Sequence, residues 1–397
     1  MQLNDILKVA IKAGSSDIHV KAGLPPVFRI DGSLVPYKEA PRLSPDMVNQ
    51  MDFGIMNQVL QKKFKENNEI DLAYGVPGLG RFRVNVFQQR GTIGIVFRVI
   101  PFGISTIEQL HLPKVLEHIA MEQRGLILVT GTTGSGKSTS LAAMIDYINS
   151  NRTCHIVTIE DPIEFLHRDK KSIVNQREVG FDTNSFAIAL KSALRQDPDV
   201  ILVGEMRDFE TIETALTAAE TGHLVLSTLH TIDATETITR IVTVFPPYQQ
   251  AQVRLQISTI IKGIVSQRLV PRADGRGRVP AIEVLVATAR IRECISDKEK
   301  TKDIHDSITK GFTTYGMQSF DQSLMTLYRK NLISFEEALR QSSNPDDFKL
   351  KVSGISSTSE AGWDEFEKQQ GLTPESEEAT PAGAGGGKDD DLQIDRF

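Results

Sequence analysis

Residues 131–138 read Gly131-Thr132-Thr133-Gly134-Ser135-Gly136-Lys137-Ser138 and satisfy the pattern G-x-x-x-x-G-K-[ST] in full. Glycines at these spacings let backbone N–H groups curl around phosphate oxygens, and a following helix adds partial positive charge at its start. The apolar run "LILVT" precedes the loop, and a helix-forming run that begins Ser138-Thr139, "STSLAAMIDYI", follows it. The pattern therefore predicts a nucleotide-phosphate loop, with Lys137 on the β- and γ-phosphates and Ser138 on Mg²⁺.

Two acidic groups and a pair of histidines extend this set. "IVTIEDPIEF", residues 156–165, puts Glu160, Asp161 and Glu164 within five positions at the end of a β-branched run. Alone, such a cluster reads as a solvated acidic turn. At the carboxyl end of a strand in the phosphate loop's own sheet, it reads as part of a ligand site, where a carboxylate orients an attacking water. "VILVGEMRD", residues 200–208, ends a second run in Gly204 and Glu205, where phosphate-loop proteins commonly present an aspartate to magnesium. Glu205 reaches one methylene further and is expected near the same Mg²⁺; its alternative is an ion pair with Arg207. "TGHLVLSTLHT" is bracketed by His223 and His230. His230, at the carboxyl end, is the better placed to sense a γ-phosphate. His223 is read either in that role or as a hydrogen-bonded core residue.

The elements that must hold these groups follow from periodicity. Leu3, Ile6, Leu7 and Ala10 fall at helical spacing, so residues 1–14 predict an amphipathic helix and not a signal peptide. Between residues 80 and 100 the pattern alternates: Phe82, Val84 and Val86 face one way, Arg81, Arg83 and Asn85 the other, with Arg98 on the next strand. Residues 1–100 therefore predict one α+β domain and residues 101–113 a linker. From 114 to 290 short β-branched runs alternate with helical stretches, which predicts an α/β core with a mostly parallel sheet. Residues 291–350 read as mainly helical, with Pro345 near the last turn.

Composition narrows the class. The chain has 397 residues, 40% of them hydrophobic and 24% charged, with no apolar run long enough for a membrane span. Two cysteines, Cys154 and Cys294, form no metal-ligand pattern and suit a reducing, cytoplasmic setting. From Ser359 to Phe397 there are eleven acidic and three basic residues against a chain total of −6, so the rest of the chain is near neutral. A near-neutral body argues against a nucleic-acid motor. Residues 351–397 predict a disordered acidic tail.

The four blocks, in this order, resemble the ATPases of the type II/type IV secretion superfamily. "SDIHVKAGLPP", "RFRVNVFQQRG", "TIEDPIEFLHRDKKSIVNQREVG", "LRQDPDVILVGEMRD" and "TALTAAETGHLVLSTLHT" are similar to its type IV pilus retraction branch. "ATARIRECI" at 287–295 follows the corresponding family stretch loosely. The extension branch is longer at its N-terminus and carries a four-cysteine zinc site, unlike this chain. The resemblance implies a PAS-like N-terminal domain, a RecA-like P-loop domain and a C-terminal helical region. It implies a homo-hexamer that hydrolyses ATP with Mg²⁺ to withdraw pilin subunits. Its site would be cytoplasmic, peripheral at the inner membrane, with an inner-membrane platform protein as partner and a paralogous retraction ATPase as another. An accessory paralogue or an ATP-binding regulatory ring component is the competing reading. Carried over by residue, Glu164 is the catalytic base with Glu160 beside it, Glu205 is the second carboxylate, and Arg81, Arg83 and Arg98 approach the γ-phosphate.

Overall fold

The computed structural model describes residues 2–100 and 103–353, so the acidic segment from 354 onward lies outside the described residues. Two sheets organise them. The first comprises β1 (Asp17–Lys21), β2 (Val27–Ile30), β3 (Ser33–Pro36), β4 (Glu69–Val76), β5 (Gly80–Gln89) and β6 (Thr92–Ile100). Its order is β3-β2-β1-β6-β5-β4, with every neighbouring pair antiparallel. The alternation expected for β5 holds: Phe82, Val84 and Val86 are fully buried, and they pack with Ile6, Leu7 and Ala10 of the helix Leu3–Lys12.

The second sheet contains β7 (Gly125–Thr130), β8 (His155–Glu160), β9 (Ile173–Glu178), β10 (Val200–Val203), β11 (Leu224–Leu229), β12 (Ile261–Pro271) and β13 (Arg278–Val286). The order is β13-β12-β7-β11-β10-β8-β9, parallel throughout except for the β12–β13 pair. The short runs read from the sequence are its central strands. β10 shows why they are apolar throughout. Ile201 and Val203 enter the core on one face, Val200 and Leu202 the core on the other, because helices cover both sides. Side chains that punctuate the chain start those helices: Ser185, Asp208 and Asp233 each accept a backbone N–H of the first turn.

The C-terminal region is helical, as expected, but Pro345 does not lie near a last turn. It opens a further helix, Pro345–Val352, capped by Asn344, where its missing N–H costs nothing. That helix also carries regular structure past the expected start of the tail at 351. Among the described residues, no helix is long and apolar enough to cross a membrane.

Candidate active site

The phosphate loop joins β7 to the helix Lys137–Asn151, and its shape comes from its glycines and from β12. Gly131 has φ +142° and Gly136 φ +92°. A Cβ on Gly131 would lie 2.4 Å from the Gln267 carbonyl oxygen, and one on Gly136 would lie 2.6 Å from Gln267 Nε2. Gln267, nearly buried on β12, also accepts the Ser140 hydroxyl at 2.8 Å. The loop is thus clamped between its own helix and a neighbouring strand. The helix begins at Gly136 with no side-chain cap, which leaves its first-turn N–H groups available to an anion.

Lys137 is 8% exposed, and its Nζ donates to the carbonyls of Gly131 (2.8 Å) and Thr132 (3.0 Å). Burial pushes its ammonium down from the ordinary lysine value; Glu205 and Glu164 oppose that shift. The phosphate lysine and both candidate carboxylates therefore act on one another in a single site. They line one cleft of about 400 Å³, together with Thr133, Gly134, Ser138 and Thr139 of the loop and helix start.

Strand order explains how separate segments converge here. β11 lies between β7, which carries the loop, and β10, which carries Glu205. All these strands are parallel, so their carboxyl ends share one edge, where ligands bind in such sheets. Gly204 lets the end of β10 approach β8: its N–H donates to the Ile159 carbonyl at 2.8 Å, and an added Cβ would lie 3.2 Å from that oxygen. Thr228 of β11 donates its hydroxyl to the Gly204 carbonyl at 2.6 Å. Glu205 is thereby fixed at the cleft, where it pairs with Arg207 and lies 3.4 Å from His230 Nε2. The ion pair with Arg207 and the position at the cleft are both realised.

Glu160 and Glu164 occupy different environments. Glu164 is exposed and lines the cleft. The Glu160 carboxyl accepts from Thr158 Oγ1 at 2.6 Å, from Gln176 Nε2 at 3.2 Å and from the Glu164 backbone N–H. Burial nevertheless outweighs these bonds and pushes it up from the ordinary carboxylate value. Its geometry is that of a group shaping the turn through Asp161, Pro162 and Ile163.

Not every expected residue reaches the cleft. His223 precedes β11 at its amino end, where Nδ1 lies 3.0 Å from the Ala218 carbonyl; a six-residue strand separates it from His230. Of its two readings, this is the hydrogen-bonded structural one. Arg98 pairs with Asp17 at 2.9 Å, and it lies in register with Arg83 on the N-terminal sheet. Burial raises the Asp17 carboxyl, but Arg98 and Ser16 outweigh it and hold it below the ordinary value. Neither Arg83 nor Arg98 lines the cleft. Arg81, on the same side of β5, instead pairs with Glu178 at the end of β9 (2.9 Å).

Other residues were not foreseen. Phe165, His167, Leu269 and Arg278 line the cleft. Burial pushes His167 down to about 4, so its imidazole is neutral at physiological pH, and its buried Nδ1 has no hydrogen-bond partner among the described residues. Its spacing from Glu164 was the only available signal; Leu269 and Arg278 come from the β12–β13 pair, which no local motif marks.

The donor set fits a hard divalent cation: the Ser138 hydroxyl and the Glu205 carboxylate face one cleft beside the phosphate lysine.

Fold and site together define a P-loop nucleotide-binding α/β protein. The family model described as "Type II/IV secretion system protein" matches residues 1–342, and the chain belongs to that family. It is 48% identical over 348 residues to the type IV pilus retraction ATPase PilT of Pseudomonas aeruginosa, covering 88% of this chain and all of that protein. It is 43% identical over 386 residues to the type IV pilus ATPase PilU of the same organism, covering 96% of this chain and 99% of that one. A crystal structure of the pilus retraction motor PilT with bound ADP superposes with a TM-score of 0.79 at 49% identity, covering 87% of this chain and 98% of that one.

Proposed function

We propose that the protein is a mechanochemical ATPase that powers type IV pilus retraction. The observation that carries this reading is the convergence of Lys137, Glu164 and Glu205 on one cleft at the carboxyl edge of the parallel sheet. The similarity to PilT over nearly the whole described chain supports the retraction branch.

The residues take complementary parts. Backbone N–H groups of Gly131 to Gly136 and the helix start cradle the phosphates, with Lys137 neutralising them. Ser138 and Glu205 would hold Mg²⁺, which when bound neutralises charge on the phosphate oxygens. Glu164, exposed to water yet facing the cleft, orients the attacking water and takes its proton. Glu160 holds the turn that presents Glu164. His230 touches Glu205 and reports on its position. Among the described residues Arg81 is the N-terminal arginine whose contacts connect to this region, through Glu178, so domain placement and hydrolysis are linked through it.

The six-stranded antiparallel order is consistent with a PAS-like N-terminal domain, and the seven-stranded sheet with a RecA-like core followed by helices. The working unit is a homo-hexamer at the cytoplasmic face of the inner membrane, engaging a platform protein there. The decisive experiment measures Mg²⁺-dependent ATP hydrolysis by wild type and Lys137→Ala, then retraction in a deletion strain complemented with wild type or Glu205→Ala. Turnover by Lys137→Ala at the wild-type rate overturns the reading.

One observation favours a second reading, an accessory retraction ATPase. The alignment with PilU spans 386 residues, against 348 for PilT, and so extends into the C-terminal segment. Full retraction in the deletion strain, lost only when a paralogue is also removed, would select it.

A further inference from the structure

Arg81 and Glu178 join the two sheets. Arg81 lies at the start of β5 and Glu178 at the end of β9, and their side chains are 22% and 11% exposed at the 2.9 Å contact. The same Glu178 oxygen, Oε2, accepts the backbone N–H of Ile163 at 3.3 Å. Ile163 is buried and immediately precedes Glu164.

The surroundings give this shared oxygen leverage. Glu178 lies in register beside Glu160 on the parallel pair β8–β9. Two residues earlier on β9, Gln176 donates to the Glu160 carboxyl, so Gln176 and Glu178 leave the strand on one face. The turn that carries Glu164 is thus fastened to β9 at Glu160 and again at Ile163. Asp182 accepts the Glu178 backbone N–H at 2.8 Å and holds the strand end. Among the described residues Arg81 Nε is buried without a hydrogen-bond partner, and the guanidinium is anchored by its bond to Glu178.

We propose that Glu178 is a positioning residue that couples the N-terminal sheet to the Glu164 turn, one carboxylate oxygen being shared between Arg81 and the Ile163 N–H. Seating the N-terminal sheet brings Arg81 onto Glu178, which steadies the carboxylate that holds Ile163 and hence the aim of Glu164. Withdrawing that sheet removes the guanidinium from a largely buried carboxylate, which must then find other partners and loosens the turn. Arg81 therefore acts on hydrolysis through Glu178. This inference rests on Glu164 as the base.

The test is a double-mutant cycle on ATP turnover by the full-length protein. Glu178→Gln keeps an oxygen for the Ile163 N–H and loses the charge facing Arg81; Arg81→Gln removes the other partner. Each is expected to lower kcat about 10- to 100-fold, with KM for ATP within about twofold of wild type. The double variant is expected to fall no further than the worse single one, and Arg81→Lys to recover part of the loss. Wild-type kcat in Glu178→Gln, multiplicative losses in the double variant, or a loss confined to KM would overturn the coupling. If Glu178→Gln does not fold, hydrogen exchange across residues 160–164 in Arg81→Lys and Arg81→Gln decides. Faster exchange in Arg81→Gln, smaller in Arg81→Lys, supports the coupling, and unchanged exchange in both overturns it. Lys137→Ala in the same assay separates the two levels: turnover there refutes the ATPase reading itself, whatever Glu178 does.

Discussion

Replacing Glu164 by glutamine separates chemistry from architecture. The side chain is exposed at the cleft, so the change costs the fold no more than about 0.5 kcal/mol. It also removes one of two carboxylates that favour the charged form of Lys137; Glu205 remains, and ATP is expected still to bind. What disappears is the proposed proton acceptor, with an expected loss in kcat of about 10²- to 10⁴-fold, or roughly 3–5 kcal/mol in the barrier. Glu160→Gln should behave in the opposite sense. Its carboxyl accepts three hydrogen bonds, and a neutral isostere weakens each by roughly 1 kcal/mol, partly offset by no longer burying a charge. A stability loss of about 1–2 kcal/mol with a smaller drop in kcat follows. Phosphate release, binding of a fluorescent ATP analogue and urea melts on the same preparations give all three quantities. Turnover by Glu164→Gln within about threefold of wild type, beside an inactive but stable Glu160→Gln, would exchange the two roles and refute the reasoning.

Three further outcomes can be checked. Lys137→Ala should abolish ATP turnover and weaken nucleotide binding at least tenfold by equilibrium titration, because the site loses its phosphate cation. Gly131→Ala should distort the loop, since its Cβ would lie 2.4 Å from a backbone oxygen at φ +142°; calorimetry should record loss of ATP binding and a lower melting temperature. Asp52 is 1% exposed in the N-terminal core, and burial pushes its carboxyl up to about 6 from an ordinary 3.8. The folded state then holds that proton more tightly than the unfolded one, so this carboxyl's contribution to stability is greatest below about pH 4, falls as pH rises towards 6 and is level above that. Asp52→Asn should flatten this slope and raise stability at pH 7.5 by about 1–3 kcal/mol, read from urea melts at several pH values; an unchanged slope contradicts the assignment.

What was legible in the sequence follows from the range of each interaction. The phosphate loop could be read because its requirements are local: positive-φ glycines, a lysine one step inside a helix and an apolar strand before it. The central strands could be read because burial on both faces demands unbroken β-branched runs. Gln267, Gln176 and Glu178 could not, because each works through a partner from 16 to 127 residues away and none changes the local pattern. β9 hid for a related reason: "IVNQRE" lies at the sheet edge, and its Gln176 and Glu178 face the loop they hold. The arginines show where alternation stops being informative. It placed Arg81 and Arg83 on one side of β5, but only the packing of one sheet beside the other distinguishes the residue that meets Glu178 from the one that does not.

The clamp on the phosphate loop has an energetic consequence for a motor. With Gln267 standing against Gly131 and Gly136 and holding Ser140, the shape of the cradle is held by the protein's own contacts. Little of the attraction between loop and phosphate is spent on ordering the loop. The surplus remains for moving larger parts against a load, so stiffness at a few glycines becomes a source of mechanical work.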